Sequence, residues 1–324
     1  MSLDWTLPRP LRHFSLQSHG RLDGGVGERK TIMGISSIQR RYPNLRETGA
    51  TKIQEFITNR CSEYYFLDYM RCSTGVADDA IEFYLLDADL RTLLLHYFIQ
   101  FELQAKADFV SCLEASTDSP LFWKEKKFFL AEATISRQNT KSKFVELMNK
   151  IEKAMEQKPK VVYEKSGDIA MYCSSFGTFQ SLFKLIDGRY KTEFVQRYTV
   201  GLGKHDYRTL NTYFEAIRRI RNRCAHGNHV VSLDMVNELN NLKPALTMAI
   251  PSFNHGVHYT ALESVVFYLT YHLKCGERLR KELSNLVSKR AVLLKKYKGR
   301  HAFSGDAKLK YIDFGTSYPY DFGR

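Results

Sequence analysis

The stretch 77-ADDAIEFYLLDADLRTLLLHYFIQFELQAKADFVSCLEAS-116 contains neither glycine nor proline. Its apolar positions include Leu86, Leu90, Leu93, Leu94, Tyr97, Phe98, Phe101, Ala105 and Phe109, mostly in steps of three and four. That period predicts one long amphipathic helix with a wide buried stripe. Asp87 and Arg91 lie one turn apart on it, as do Glu102 and Lys106. The spacing predicts solvated pairs worth a few tenths of a kcal/mol each.

Helical pattern extends outward from this stretch. It begins at Thr48 and returns near 123–133, 140–156, 174–187 and 190–199, then from about 206 to His226. Ser232 could cap a short helix through Leu242, and one long helix is predicted over about 260–297. Alternating strand runs are nearly absent, and neither a repeat nor a heptad array occurs. The predicted fold is mostly α. Residues 1–47 hold Pro8, Pro10, Pro43 and a GRLDGGVGE run, which reads as a flexible segment. Met33 opens a second start, MGISSIQRRYPNL, which would leave residues 1–32 outside the native chain. The expected organisation is a flexible segment over 1–47, a helical domain over 48–245, a basic helical region over 246–300 and a tail over 301–324.

Charge narrows the partners. Lys and Arg number 48 against 35 Asp and Glu among 324 residues, a formal net charge of +13. Such a surplus suits an anionic partner, nucleic acid first and a membrane surface second. No run approaches the roughly 20 apolar residues that span a bilayer, and no amphipathic anchor supports the membrane reading. The first residues lack a signal-peptide core. The six cysteines are scattered with no CxxC pair, which argues against a zinc knuckle and for a reducing cytoplasm.

The chemistry-bearing segment is 206-DYRTLNTYFEAIRRIRNRCAHGN-228. On a helix wheel Leu210, Tyr213, Ile217, Ile220 and Cys224 form an apolar face, opposite Glu215, Arg218, Arg219, Asn222 and His226. Arg221 falls at the apolar margin beside Phe214, where an arginine must snorkel, pair or face an anion. Gly227-Asn228 is a stop signal. Arg221 and His226 form an R-x4-H motif, a spacing that recurs at Arg91 and His96 inside an apolar LRTLLLH run. The copy at 221–226 stands apart through its polar Asn222, its basic surroundings (Arg218, Arg219 and Arg223) and the helix stop. Spacing alone favours a histidine that merely ends the helix and an arginine paired with a carboxylate.

Three blocks carry a family resemblance. DADLRTLLLHYFIQFE (87–102) resembles a D-x-x-L-R helix with a later acid, matching at Asp87, Leu90, Arg91 and Glu102. FGTFQSLFKLI (176–186) is the second block and RNRCAHGN (221–228) the third. Together, over about residues 50–230, they resemble the Abi-like group of abortive-infection proteins, of the AbiD/AbiF type, within the HEPN superfamily of α-helical ribonucleases. Two positions depart from the pattern. Gly227 stands where the family often has a second histidine, and Phe101 where it usually has a smaller aliphatic residue.

The resemblance implies a HEPN-like helical bundle with additional helices. It implies a metal-independent endoribonuclease with no cofactor, which cuts RNA as a toxin of an antiviral system. His226 would be the acid/base, Arg221 the phosphate clamp, and Asn222 would orient the site. An imidazole titrates near neutrality and a guanidinium fits phosphate oxygens in a fork, so both suit 2′-hydroxyl attack on a phosphodiester. Asp87 and Glu102 are the candidates to orient His226 or Arg221. A small non-coding RNA that restrains the toxin fits the resemblance, and so does a homodimer that shares the site. The alternative is a non-catalytic RNA-binding or scaffold module. On a regular helix Arg221 and His226 project about 140° apart, so an unwound last turn, a long reach or a second chain must bring them to one phosphate.

Beyond that comparison, 274-KCGERLRKELSNLVSKRAVLLKKYKGR-300 is strongly basic. Lys289, Arg290, Lys295, Lys296, Lys298 and Arg300 read either as a solvated face or as a surface that tracks RNA phosphates. The closing DFGTSYPYDFGR could stack on bases or dock on the domain.

Overall fold

The glycine- and proline-free stretch forms one helix, α4 (Ala77–Thr117), in a computed structural model of the chain. Residues 35–58, 60–135, 142–158, 166–200, 206–231 and 261–301 are described. At about 1.5 Å per residue α4 is on the order of 60 Å long, and it is the axis on which the other elements pack. Before it come α1 (Ser36–Arg41), α2 (Glu47–Ile57) and α3 (Glu63–Cys72). After it come α5 (Ala131–Thr134), α6 (Lys143–Glu156), α7 (Gly167–Cys173), α8 (Phe176–Leu185), α9 (Thr192–Thr199) and α10 (Tyr207–Ala225). Three more follow: α11 (Ala261–His272), α12 (Gly276–Lys289) and α13 (Ala291–Lys296). Among the described residues no strand forms, and Phe129 and Ile186 make an isolated antiparallel bridge. The fold is mostly α.

The core centres on Phe101, which is fully buried. Its ring makes edge contacts with Phe176 of α8, Tyr198 of α9, Phe214 of α10 and Tyr268 of α11. A smaller residue there would leave four helices facing a void, which explains the aromatic at this departure from the family pattern.

Several expectations change. Residues 123–133 are not one helix. Two 3-10 turns (Phe122–Lys124 and Lys126–Phe128) and the single turn of α5 replace it. Phe122, Trp123, Phe128 and Phe129 are all buried. On one helix Phe122 and Phe128 would point about 120° apart, whereas separate turns send both inward. The range 174–187 yields α8 alone, with α7 ahead of it across Ser174 and Ser175. The single helix over 260–297 is instead α11, α12 and α13. The first break, at 273–275, leads into Gly276, where a Cβ would come within 1.9 Å of the Thr270 carbonyl oxygen. The turn therefore requires glycine.

Residues 35–47, expected to belong to a flexible segment over 1–47, include α1 and the start of α2. Ile35 and Ile38 are buried, and the Ile38 N–H donates to Glu63 Oε1 at 2.6 Å. At the other end, the described part of the basic region shares the central core. Tyr268 of α11 stacks on Tyr213 of α10 at 4.3 Å between centroids, and Tyr97 of α4 donates to Glu282 of α12 at 2.9 Å. The helix expected after Ser232, residues 1–32 and the tail beyond 301 lie outside the described residues.

Candidate functional site

Helix α10 starts at Asp206, whose carboxylate accepts from the Thr209 N–H at 2.7 Å. Its apolar face is buried as the wheel requires, at Leu210, Tyr213, Ile217, Ile220 and Cys224. On the polar face Glu215 pairs with Arg218 at 2.6 Å and Arg219 at 2.9 Å. Burial works to raise that carboxyl, but bonds from the two guanidiniums outweigh it and hold it at about 2.

The helix ends in a Schellman motif. The Asn228 N–H reaches the Arg223 carbonyl at 2.9 Å and the Gly227 N–H the Cys224 carbonyl at 3.3 Å. Gly227 has φ +72°, a left-handed conformation that suits glycine and strains a histidine. That accounts for the family departure at this position. His226 is the cap residue, exposed and no longer helical in its ψ of 6°. The regular-helix angle between Arg221 and His226 therefore does not carry through the last turn.

Contacts with α4 set α10 antiparallel to it, with Arg221 opposite Glu102 and the Gly227 turn opposite Arg91. Arg221 Nη2 lies 3.7 Å from Glu102 Oε2, and its Nη1 donates to Asn222 Oδ1 at 3.3 Å. Its Nε is buried with no hydrogen-bond acceptor among the described residues. Glu102 also pairs with Lys106 at 2.7 Å, and the Lys106 ammonium donates to the Ser174 carbonyl. Ser174 sits just ahead of the FGT block. In that block Gly177 lies against Arg218: a Cβ there would be 3.7 Å from Arg218 Cδ. The three sequence blocks thus meet around one seam.

The other end of the seam is built on Asp87, which is fully buried. Its Oδ1 accepts from the Val230 and Val231 N–H groups, each at 2.8 Å, and its Oδ2 accepts from the Tyr69 hydroxyl at 2.9 Å. Arg91 Nε lies 2.8 Å from Oδ2. Burial opposes the charge on Arg91, but the neighbouring carboxylate stabilises it and the net shift is upward. A Cβ built on Gly227 would sit 3.4 Å from Arg91 Nη1, so this guanidinium borders the turn that carries His226. Both i,i+4 pairs form as their spacing predicts, but neither is solvated. The side chains of Asp87 and Glu102 are 0% and 14% exposed.

A wall from α3 closes this end. Tyr65 stacks on His229 at 3.9 Å between centroids and donates its hydroxyl to the Gly227 carbonyl. His229 Nε2 lies 3.4 Å from Asp68, and the Arg223 Nε donates to the His229 carbonyl at 2.9 Å. Burial lowers the His229 imidazole below its ordinary value, against the pull of Asp87 and Asp68, so the ring is neutral at neutral pH. Sequence reasoning missed Tyr65, Tyr69 and His229 and gave Arg91 no role. Only Arg91 carried a signal, within the D-x-x-L-R block.

The candidate residues fall into three groups. Arg221, Asn222 and Glu102 are brought together, and His226 ends the same helix at the Asp87–Arg91 end. Asp87 and Glu102 are about 22 Å apart along α4 and serve opposite ends. Arg218, Arg219 and Arg223 are half-buried on α10. In the basic C-terminal stretch, Arg290 pairs with Glu82 at 2.9 Å and Lys296 with Asp79 at 2.6 Å, which ties α13 to the first turns of α4. Lys289, Lys295, Lys298 and Arg300 are exposed. If this face tracks RNA, neutralising Lys289, Lys295 and Lys298 together lowers the slope of log affinity against log salt by about 0.7 per lost contact. An unchanged slope in filter-binding titrations would assign them to solvated surface. Lys296→Ala instead loosens α13.

Among the described residues no helix is long and apolar enough to cross a membrane, and no group of three or more His, Cys, Asp or Glu could hold a metal ion. A family model for Abi-like proteins matches residues 53–232, more than half of the chain. The match spans α3, α4, α8, α10 and every residue of the seam. No curated protein and no solved structure matches this chain.

Proposed function

The chain belongs to the Abi-like family, and from that premise we propose that it is a metal-independent endoribonuclease of the HEPN type. In this reading it serves abortive infection, the role the family name points to, as an RNA-cleaving toxin in the cytoplasm. Its surplus of positive charge suits RNA as substrate and a small non-coding RNA as the restraining partner.

His226 removes the proton from a 2′-hydroxyl. The 2′-oxygen attacks the adjacent phosphorus, and the 5′-oxygen departs with a proton. The products are a 2′,3′-cyclic phosphate and a 5′-hydroxyl. Arg221 holds the phosphate oxygens as negative charge grows on them, where an oriented guanidinium stabilises the transition state more than the ground state. Arg91, which borders the Gly227 turn, supplies a second cation. Glu102 and Asn222 orient Arg221. One histidine serves one proton transfer at a time, so a homodimer that brings a second His226 and Arg221 to the same cleft completes the acid–base pair.

The observation that carries this reading is the end of α10. An exposed imidazole sits on a fixed helix cap, with Arg91 beside the following turn and Arg221 held toward Glu102 one and a half turns back. A purely structural histidine has no need of that setting. The test incubates the purified chain with end-labelled RNA in EDTA. Cleavage that leaves 2′,3′-cyclic phosphate ends supports the nuclease. Tight binding with intact RNA identifies the non-catalytic module instead.

A further inference from the structure

A groove opens at the opposite end of α10 from His226, about 28 Å away along that helix. Its volume is about 650 Å³, within the usual range for a small-molecule site. α6, α8, the 3-10 turn at Gly188 and the start of α10 line it. Among the described residues four lysines reach it, Lys143, Lys150, Lys184 and Lys191, against two carboxylates, Glu132 and Glu146. The excess of two positive charges matches a phosphomonoester dianion.

Lys191 is the unusual member. It is only 3% exposed, yet it lines an open groove. Its ammonium donates to the Phe183 carbonyl and lies 4.8 Å from the centroid of the Phe183 ring and 5.3 Å from that of Tyr207. A lysine ammonium has three donors, and the carbonyl takes one. Burial pulls its pKa down to about 8, with Asp187 opposing. The chain thus keeps a partly desolvated cation beside a cavity, where an anion gains more than it would in water. Leu130 and Leu185, both half-buried, supply apolar surface, and Tyr207 is a half-exposed ring at the edge. Inorganic phosphate would use none of that surface. A flat heterocycle attached to a phosphate would use all of it, and the two glutamates would accept from its amino or ribose hydroxyl groups.

We propose that this groove is a nucleotide-binding site, with the phosphate held by the lysines and the base laid against Tyr207 and the apolar floor. The ligand is a free nucleotide or one nucleotide unit of an RNA strand. The proposal stands independently of the nuclease reading, because binding is its readout.

Calorimetry on the full chain tests it with each of the four 5′-ribonucleoside monophosphates, with inorganic phosphate, and with an RNA hexanucleotide in a His226→Ala background. At least one monophosphate or the hexanucleotide is expected to bind saturably, at least tenfold more tightly than inorganic phosphate. The paired change Lys143→Ala and Lys184→Ala should weaken that binding tenfold or more. So should Gly188→Leu, a bulky change at a lining residue where an added Cβ meets nothing within 4 Å and so leaves the fold undisturbed. Lys52→Ala, at an exposed position on α2 away from the groove, should change nothing. A monophosphate that the hexanucleotide does not displace identifies a free nucleotide. A hexanucleotide that competes with it, or that binds alone and responds to the same variants, identifies an RNA unit. The proposal is overturned if none of these probes binds, if phosphate binds as tightly as any nucleotide, or if the groove variants bind like the parent.

Discussion

Asp87→Ala is expected to destabilise the chain by ~3–5 kcal/mol, the usual cost of removing one partner from a buried ion pair. Asp87 is fully buried and takes bonds from four groups, the Arg91 guanidinium, the Tyr69 hydroxyl and the N–H groups of Val230 and Val231. Alanine accepts from none of them. Arg91, whose side chain is 16% exposed, is then a desolvated charge without its counter-ion. Two backbone donors and a phenol lose their acceptor, and each buried orphan costs about 1–3 kcal/mol if water cannot reach it. Domains of ordinary stability hold only about 5–15 kcal/mol in total. Tyr69→Phe removes a single bond and should cost only about 1 kcal/mol. Urea titrations followed by circular dichroism measure both, as a shift in midpoint at unchanged slope. A loss below about 1 kcal/mol for Asp87→Ala would refute the view that this carboxylate pins the segment after α10 to α4. That segment begins at His226, so the same variant also loosens the candidate catalytic residue.

The solvation of that pair is where the sequence was least informative. A spacing of four says that Asp87 and Arg91 are neighbours on a helix surface. It does not say what covers them. The cover comes from Tyr69 on α3 and from Val230 and Val231, 143 and 144 residues along the chain. The Tyr65–His229 stack was hidden for the same reason, since neither residue belongs to a local pattern. Helix α4 was legible because nothing interrupts its period. The helix stop at Gly227 was legible because left-handed caps favour glycine. The break leading into Gly276 was not, because a lone glycine in a helical pattern is usually tolerated. Only the folded chain shows the Thr270 carbonyl in the space a side chain would need. In the candidate site, spacing brought out Arg221 and His226 but not the acid beside Arg221. Glu102 lies 119 residues earlier, and only the family resemblance singled it out, as the acid that ends the first block.

His226→Ala is expected to lower RNA cleavage by ~10²–10⁴-fold, the usual contribution of a general acid or base. Stability should move by no more than about 0.5 kcal/mol, because the residue is exposed and its role in the cap is carried by its backbone N–H, which donates to the Asn222 carbonyl at 2.9 Å. RNA affinity should be nearly unchanged, since the imidazole handles a proton and does not hold the strand. Arg221→Lys separates the two functions of the motif. It keeps the charge near Glu102 and loses the fork, so a bidentate phosphate role gives a large loss in rate and a merely electrostatic one a small loss. Mixing Arg221→Ala and His226→Ala chains asks whether the residues act across a dimer, because a mixed pair retains one intact copy of each. Partial recovery of cleavage is expected from a shared site. A folded His226→Ala chain, free of contaminating nuclease, that cleaves at the parent rate would remove His226 from the chemistry. The exposed imidazole would then be a helix cap and nothing more.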